Sequence, residues 1–394
     1  MDAQREPSPE EWSQLRQLVA KGWLKDPLNV SDEDLRQLTR FGFYTSETDL
    51  DLSPLVWLKD LRSVDIESSR VADLSTLAHL KNLQELRLRY SIVADLSPLA
   101  ELTNLRTLQL FTGASDLSPL AGLTNIQELF LGARELTDVV PLSGLTNLQD
   151  LSLGGTKVSD FSALAKLNSL IRLSLSGPHQ TDVSSLTGFT HLQSLSLHIP
   201  VSDLAPLAGL ANLQDLDLNG TTVCDLAPLA GLTNLQFLSL LRTRVYDLSP
   251  LAGLTNLLTL DLCLTEVSDL SPLTRLPKLQ ALHLSGTKVH DLRPLAVLKN
   301  LQTLDLRRTE VSDLSPLAGL TNLQILDLSR TKIHDLSALS GLNRLKELTF
   351  SETKVCDVSP LASLTALEFV SCFQTSVKDF SPLTGLPALT EVMT

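Results

Sequence analysis

One phrase, Asp-Leu-Ser-Pro-Leu or a close variant, returns along almost the whole chain, and nothing else in the sequence restricts the possible folds as strongly. Its leading aspartate stands at Asp51, Asp73, Asp95, Asp116, Asp138, Asp160, Asp182 and Asp203, and again at Asp225, Asp247, Asp269, Asp291, Asp313, Asp335, Asp357 and Asp379. The step is 22 residues, except for two steps of 21 (Asp95 to Asp116 and Asp182 to Asp203). That makes fifteen whole repeats from Asp51 and a last partial one from Asp379. A unit of this size cannot enclose its own leucines, so it must stack on its neighbours. Each buried leucine contributes about 1.5–3 kcal/mol. Only a long stack offsets an ordering entropy of about 1–2 kcal/mol per residue.

Within one repeat, Asp225 to Val245, the residues Leu235, Leu238, Leu240 and Thr243 form a Leu-x-x-Leu-x-Leu-x-x-Thr core. Alternation in Phe237-Leu238-Ser239-Leu240 predicts a short strand with one buried face. Ser249-Pro250 predicts an N-capping hydroxyl ahead of a proline at the first position of a short helix. The repeated aspartate is expected to accept a nearby backbone N–H at the turn into that helix. This pattern resembles the leucine-rich-repeat family and, within it, the 22-residue repeats of bacterial internalins, from about residue 38 to the end. The resemblance implies an α/β solenoid: a right-handed arc with a parallel β-sheet on its concave face, short 3-10 or α turns on its convex face and an N-terminal α-helical cap. It also implies an asparagine, tying adjoining turns together, where this chain has Thr156, Thr221, Thr243, Thr265, Thr287, Thr309, Thr331, Thr353 and Thr375.

Residues 1–37 do not repeat and read as the helical cap, with 38–394 as the repeats, the first of them degenerate (Leu38, Phe41, Phe43, Ser46). Glu10 to Lys21 has helical spacing at Trp12, Leu15 and Leu18, and Ser31 opens a second helix with a capping pattern. Trp12, Trp23 and Trp57 all fall at or beside this cap, as core packing. The chain stops at Thr394 in mid-strand, which leads to the expectation of packing against another domain or subunit at that end.

Composition excludes several function classes. A formal net charge of −13 disfavours a nucleic-acid or anionic-membrane binder. Cys224, Cys263, Cys356 and Cys372 form no CxxC pair or zinc spacing and read as free thiols. With a polar N-terminus and no membrane-length apolar run, the expected location is cytoplasmic. His179, His191 and His198 occupy three different repeat positions, so no metal site is expected, and no nucleotide or catalytic motif appears. The expectation is a non-catalytic protein without a cofactor.

Functional information should lie in the outward positions of each strand, where residues vary over a constant frame. One column runs from Asp65 through Arg87, Gln109 and Phe130 to Asp261, His283, Asp305 and Asp327. The next runs from Glu67 through Arg89, Phe111 and Gly132 to Leu241, Cys263, Ser285 and Arg307. Three regions emerge. Arg87, Arg89, Tyr90, Phe111 and Phe130 have the composition of a binding hot spot. Gly132, Gly154, Gly155, Ser174 and Ser176 form a flat stretch with room for a bulky group. Phe237, Leu241, Arg242, Asp261, Leu264, His283, Asp305, Arg307, Arg308, Asp327 and Arg330 combine apolar and charged groups. The expected function is a protein–protein interaction module binding an unidentified protein partner on its concave sheet. The alternative is the sensor or targeting arm of a larger bacterial signalling or effector protein. The 21-residue steps are expected to kink the coil near Thr112-Gly113 and Ile199-Pro200, and reversal of Arg307 and Arg308 is expected to leave the melting temperature nearly unchanged.

Overall fold

The computed structural model describes residues 6–22, 30–44, 50–67, 71, 73–178 and 183–394. The expectations for Trp23, Ser46 and His179, and for the side chain of Tyr90, concern groups outside that set. The chain divides into two compact units, Met1–Leu192 and Gln193–Thr394.

The first unit begins with α1 (Pro9–Gly22), which buries Leu15, Leu18, Val19 and Ala20. Its C-terminal end meets the first strand so closely that a Cβ on Gly22 would lie 2.3 Å from the Gly42 carbonyl oxygen. The second helix, α2 (Asp32–Arg36), opens on a reciprocal capping box between Ser31 and Asp34. It is shorter than the pattern from Ser31 suggests, because the chain is already extended by Arg40. An Arg16–Asp32 ion pair ties the two helices together, and the Arg36 guanidinium lies 5.3 Å from the Trp12 ring centre. Among the described residues seven parallel strands follow: β1 (Arg40–Phe43), β2 (Ser63–Ile66), β3 (Glu85–Val93), β4 (Thr107–Thr112), β5 (Glu128–Ala133), β6 (Asp150–Gly154) and β7 (Arg172–Ser176).

The second unit holds ten strands among its described residues. They are β8 (Ser194–His198), β9 (Asp215–Asp217), β10 (Phe237–Ser239), β11 (Thr259–Asp261), β12 (Ala281–His283), β13 (Thr303–Asp305), β14 (Ile325–Asp327), β15 (Glu347–Thr349), β16 (Phe369–Ser371) and β17 (Glu391–Met393). Each pairs in parallel with the next, and the leucine between the two outward positions stays in register (Leu238↔Leu260, Leu260↔Leu282, Leu282↔Leu304). A short 3-10 turn, such as Ser249–Gly253, separates successive strands.

The repeat phrase explains these turns, with one correction. The serine hydroxyl is not the cap: the 3-10 turns starting at Ser-Pro have no hydroxyl cap bond, and the residue ahead of them is apolar, a leucine in most repeats and Val358 or Phe380 in the last two. The aspartate two residues before the serine does the capping. Asp247 Oδ1 accepts the Ser249 N–H at 2.8 Å, and the Ser249 hydroxyl donates to Asp247 Oδ2 at 2.9 Å. The same backbone bond recurs at the described repeat aspartates from Asp51 to Asp160 and from Asp203 to Asp379. These exposed contacts hold the carboxyls of Asp95, Asp116, Asp160, Asp269, Asp313, Asp335 and Asp379 below the usual carboxylate range.

Neighbouring repeats are not tied by the threonines. Thr243 Oγ1 donates to the Leu240 carbonyl of its own repeat at 2.7 Å, and Thr265 and Thr309 do likewise. The inter-repeat tie is the asparagine after the 3-10 turn, which follows threonine in most repeats and lysine at Asn82 and Asn300. Asn234 donates to the Ala211 carbonyl at 2.8 Å and Asn256 to that of Thr233 at 2.9 Å, one repeat back. Asn82, Asn104, Asn125, Asn147, Asn300 and Asn322 continue the ladder.

The first 21-residue step is absorbed upstream of where the sequence places it. Between β3 and β4 the register passes from Leu88↔Leu110 to Ile92↔Phe111, leaving residues 89–91 as a bulge. At the second step the ladder into β9 is regular, with Leu195 opposite Leu216.

Candidate strand-face site

In the second unit the outward residues of β11 to β15, together with residues just after β10 to β15, line an open depression of about 800 Å³. Of the third group named from the sequence, Leu241, Asp261, Leu264, His283, Asp305, Arg307, Arg308, Asp327 and Arg330 all contribute to it, together with Cys263, Ser285, Ser329, Thr349, Ser351 and Glu352. Phe237 and Arg242 do not line it. Phe237 belongs to a further outward column that the sequence reading passed over, running Asp215, Phe237, Thr259, Ala281, Thr303, Ile325 and Glu347. Its signal was the residue immediately before the first strand leucine of every repeat.

The aspartate column is neither free nor merely solvated. Asp261, Asp305 and Asp327 each accept, through Oδ1 at 2.9 Å, the backbone N–H two residues on. Their first task is therefore to turn the chain out of the strand. Asp305 is only 7% exposed. Arg307 spans it with Nη2 at 2.8 Å from Oδ2 and Nε at 3.1 Å from Oδ1, and places the same Nε 3.3 Å from Asp327 Oδ2. One guanidinium thus sits between two neighbouring carboxylates (Asp305↔Asp327). Its hydrogen bonds to Asp305 raise the arginine pKa further. Burial raises Asp327 above the usual carboxylate range. Burial, reinforced by Asp261, pushes the Cys263 thiol up to about 12, so it stays protonated and a poor nucleophile. Charge reversal at Arg307 would set three carboxylates together. The expectation of an unchanged melting temperature does not survive this geometry.

The chain leaves each of these strands through a left-handed residue, and in most repeats that residue is not glycine. Arg242, Leu264, Arg308, Arg330, Glu352 and Gln374 have φ between 54° and 59°, in the column that Gly220 and Gly286 also occupy. The ladder enforces the conformation: Arg242 and Arg308 donate their backbone N–H to Cys263 and Ser329 of the next repeat at 2.9 and 3.0 Å.

In the first unit the arginines of the first group are paired internally. Arg87 donates to Glu85 at 3.0 Å and Arg89 to Glu67 at 2.9 Å. Phe111 is 48% exposed and Phe130 half-buried. The bulge places Ile92, 67% exposed, opposite Phe111 where the sequence columns had placed Arg89. Gly132 offers no open room, because the Phe111 ring already covers it: a Cβ there would lie 2.0 Å from Phe111 Cδ1. Gly155 adopts φ 71° to turn the chain after β6. Among the described residues there is no cluster of His, Cys, Asp or Glu able to hold a metal ion, and no helix long and apolar enough to cross a membrane.

Stacked parallel strands, each followed by an aspartate-capped 3-10 turn, define a leucine-rich-repeat fold. A leucine-rich-repeat family model (two copies) matches residues 277–319 and 321–363. No curated protein matches the sequence. Among solved structures, a leucine-rich-repeat protein of Leptospira interrogans is similar over 92% of this chain and 97% of its own, with 22% identity and a TM-score of 0.77. The functional domain of InlJ from Listeria monocytogenes is similar over 97% of this chain and 80% of its own, at 20% identity and a TM-score of 0.63. The mouse RP105/MD-1 complex contains a chain similar over 92% of this one and 67% of its own, at 24% identity and a TM-score of 0.70. The matched stretches are thus leucine-rich repeats, and the chain as a whole has a leucine-rich-repeat fold of internalin-like architecture. Proteins of this fold commonly mediate protein–protein interactions and are typically non-catalytic.

Proposed function

We propose that this chain is a non-catalytic protein-binding module and that its partner docks on the strand face of the second unit, between Leu241 and Glu352. The observation that carries this reading is the open depression of about 800 Å³ in which arginine, leucine and carboxylate side chains vary over a buried frame of leucines, closed by Phe350. Arginine and large apolar groups are the types that dominate binding energy at interfaces. The RP105/MD-1 structure, a complex on a similar fold, supports the same use of the architecture.

The test is photo-crosslinking. A benzophenone amino acid is placed at Ser329, half-buried on the strand face, or at Ala318, exposed beside a 3-10 turn. The expected result is an adduct with one defined polypeptide from Ser329 and none from Ala318, reproduced when that polypeptide is purified. Adducts from Ala318 alone would overturn the reading.

A further inference from the structure

On the strand face of the second unit the internal charge pairing does not come out even. Asp217 is met by His198 Nε2 at 2.9 Å. Asp305 and Asp327 share Arg307. Arg330 is taken by Glu352, with Nε 2.7 Å from Oε1. Asp261 is occupied by the backbone N–H and thiol of Cys263. Arg242 and Arg308 are left without a side-chain partner among the described residues. Both are exposed, and both occupy left-handed positions where Gly220 and Gly286 show what the backbone alone would favour. Holding a long side chain in that conformation is costly.

Between them lies an apolar step. Leu264 is 45% exposed and leans over Gly286, with its Cδ2 2.6 Å from where a Cβ there would stand. Adjacent repeats are about 4.8 Å apart. Arg242 and Arg308 are therefore about 14 Å apart, with the leucine platform spanning about 5 to 10 Å along that line. An extended chain advances about 3.4 Å per residue and presents every second side chain to one face. Residues i, i+2 and i+4 of such a chain fall at about 0, 7 and 14 Å.

We propose that Arg242, Leu264 and Arg308 recognise an extended acidic segment of the partner protein, laid along the stacking direction. The segment carries acidic, apolar and acidic side chains at alternate positions. The assignment rests on the strand-face reading above and names the chemistry of its partner.

The probe is a fluorescein-labelled peptide, Gly-Ser-Glu-Ser-Leu-Ser-Glu-Ser-Gly, measured by fluorescence polarisation at about 50 mM salt, where charge contacts are only partly screened. The expected result is binding at least tenfold tighter than that of the same peptide with both glutamates replaced by glutamine. The double variants R242E/R308E and R242G/R308G should each lose at least tenfold. The glycine variant relieves the left-handed strain, so it should melt no lower than the parent and thereby separate recognition from folding. No binding of the glutamate peptide, equal binding of the glutamine peptide, or retained binding by R242G/R308G would overturn the proposal. So would tighter binding of a uridine oligonucleotide that the same variants abolish, since that would assign the arginines to phosphate. A persisting Ser329 crosslink alongside peptide failure would leave the strand-face reading standing and remove only this assignment.

Discussion

Arg307→Ala is the substitution that best separates a structural ion cluster from a solvated charged surface. Arg307 supplies two side-chain hydrogen bonds to a carboxylate that is only 7% exposed and holds apart two neighbouring aspartates. Hydrogen bonds to charged groups contribute about 1.5–3 kcal/mol, and stripping the partner from a buried charge costs about 3–5 kcal/mol. The Arg307 side chain is 53% exposed, so water replaces part of what is lost. A cost near the lower end, about 2 kcal/mol, follows. For a cooperative unit of this size, 1 kcal/mol moves the midpoint by about 2–4 °C, so the second unit should melt about 4–8 °C lower. Thermal melts followed by circular dichroism at pH 7 measure this. The double variant Asp305→Asn, Arg307→Ala should be less destabilised than the sum of the single variants by about 1 kcal/mol. Asp327 already has a raised pKa, and loss of the cation raises it further, so protonation should narrow the deficit as the pH is lowered from 7. A shift below about 1 °C, or strict additivity in the cycle, would refute the reasoning and return the cluster to an ordinary surface ion pair.

Other outcomes follow from the same geometry. Iodoacetamide at pH 8.5 should alkylate the exposed Cys224 and Cys356 while sparing Cys263, whose thiol is pushed up to about 12, as peptide mass mapping would show. Eight capping aspartates, Asp95, Asp116, Asp160, Asp269, Asp291, Asp313, Asp335 and Asp379, are depressed in the fold, Asp291 to about 2 beside Arg293. Their contribution is complete above the ordinary carboxylate value and is lost as pH falls toward 2, so melting temperature should fall steeply between about pH 4 and pH 2. Asn256→Ala removes one rung of the inter-repeat ladder and should cost about 1 kcal/mol in urea melts, with m unchanged. Gly132→Ala should displace the Phe111 ring into solvent with little loss of stability, read as increased binding of an apolar dye.

How far the sequence could be read differed between frame and face. The stack, the parallel strands and the inward leucines follow from a 22-residue period that allows no other way to bury Leu238 and Leu240. The capping aspartate was also legible, because its bond spans only two residues. Ser249 was misread as the cap because a hydroxyl before proline fits the helix-start pattern equally well; only the backbone angles choose between the two oxygens. The candidate surface was legible as columns, since register follows from the period. What each side chain does there was not.

The amino-acid order alone determined that identical coils would stack, because burial of leucine is a local, repeated demand that each 22-residue segment meets in the same way. Only the tertiary structure decided which outward charges neutralise one another, where the ladder slips past Arg89, and that Phe111 would lie across Gly132. Those outcomes turn on ångström-scale distances, both between residues two apart (Asp305 and Arg307) and between residues about twenty apart (Arg307 and Asp327, Phe111 and Gly132), where a paired and a free cation look the same in sequence.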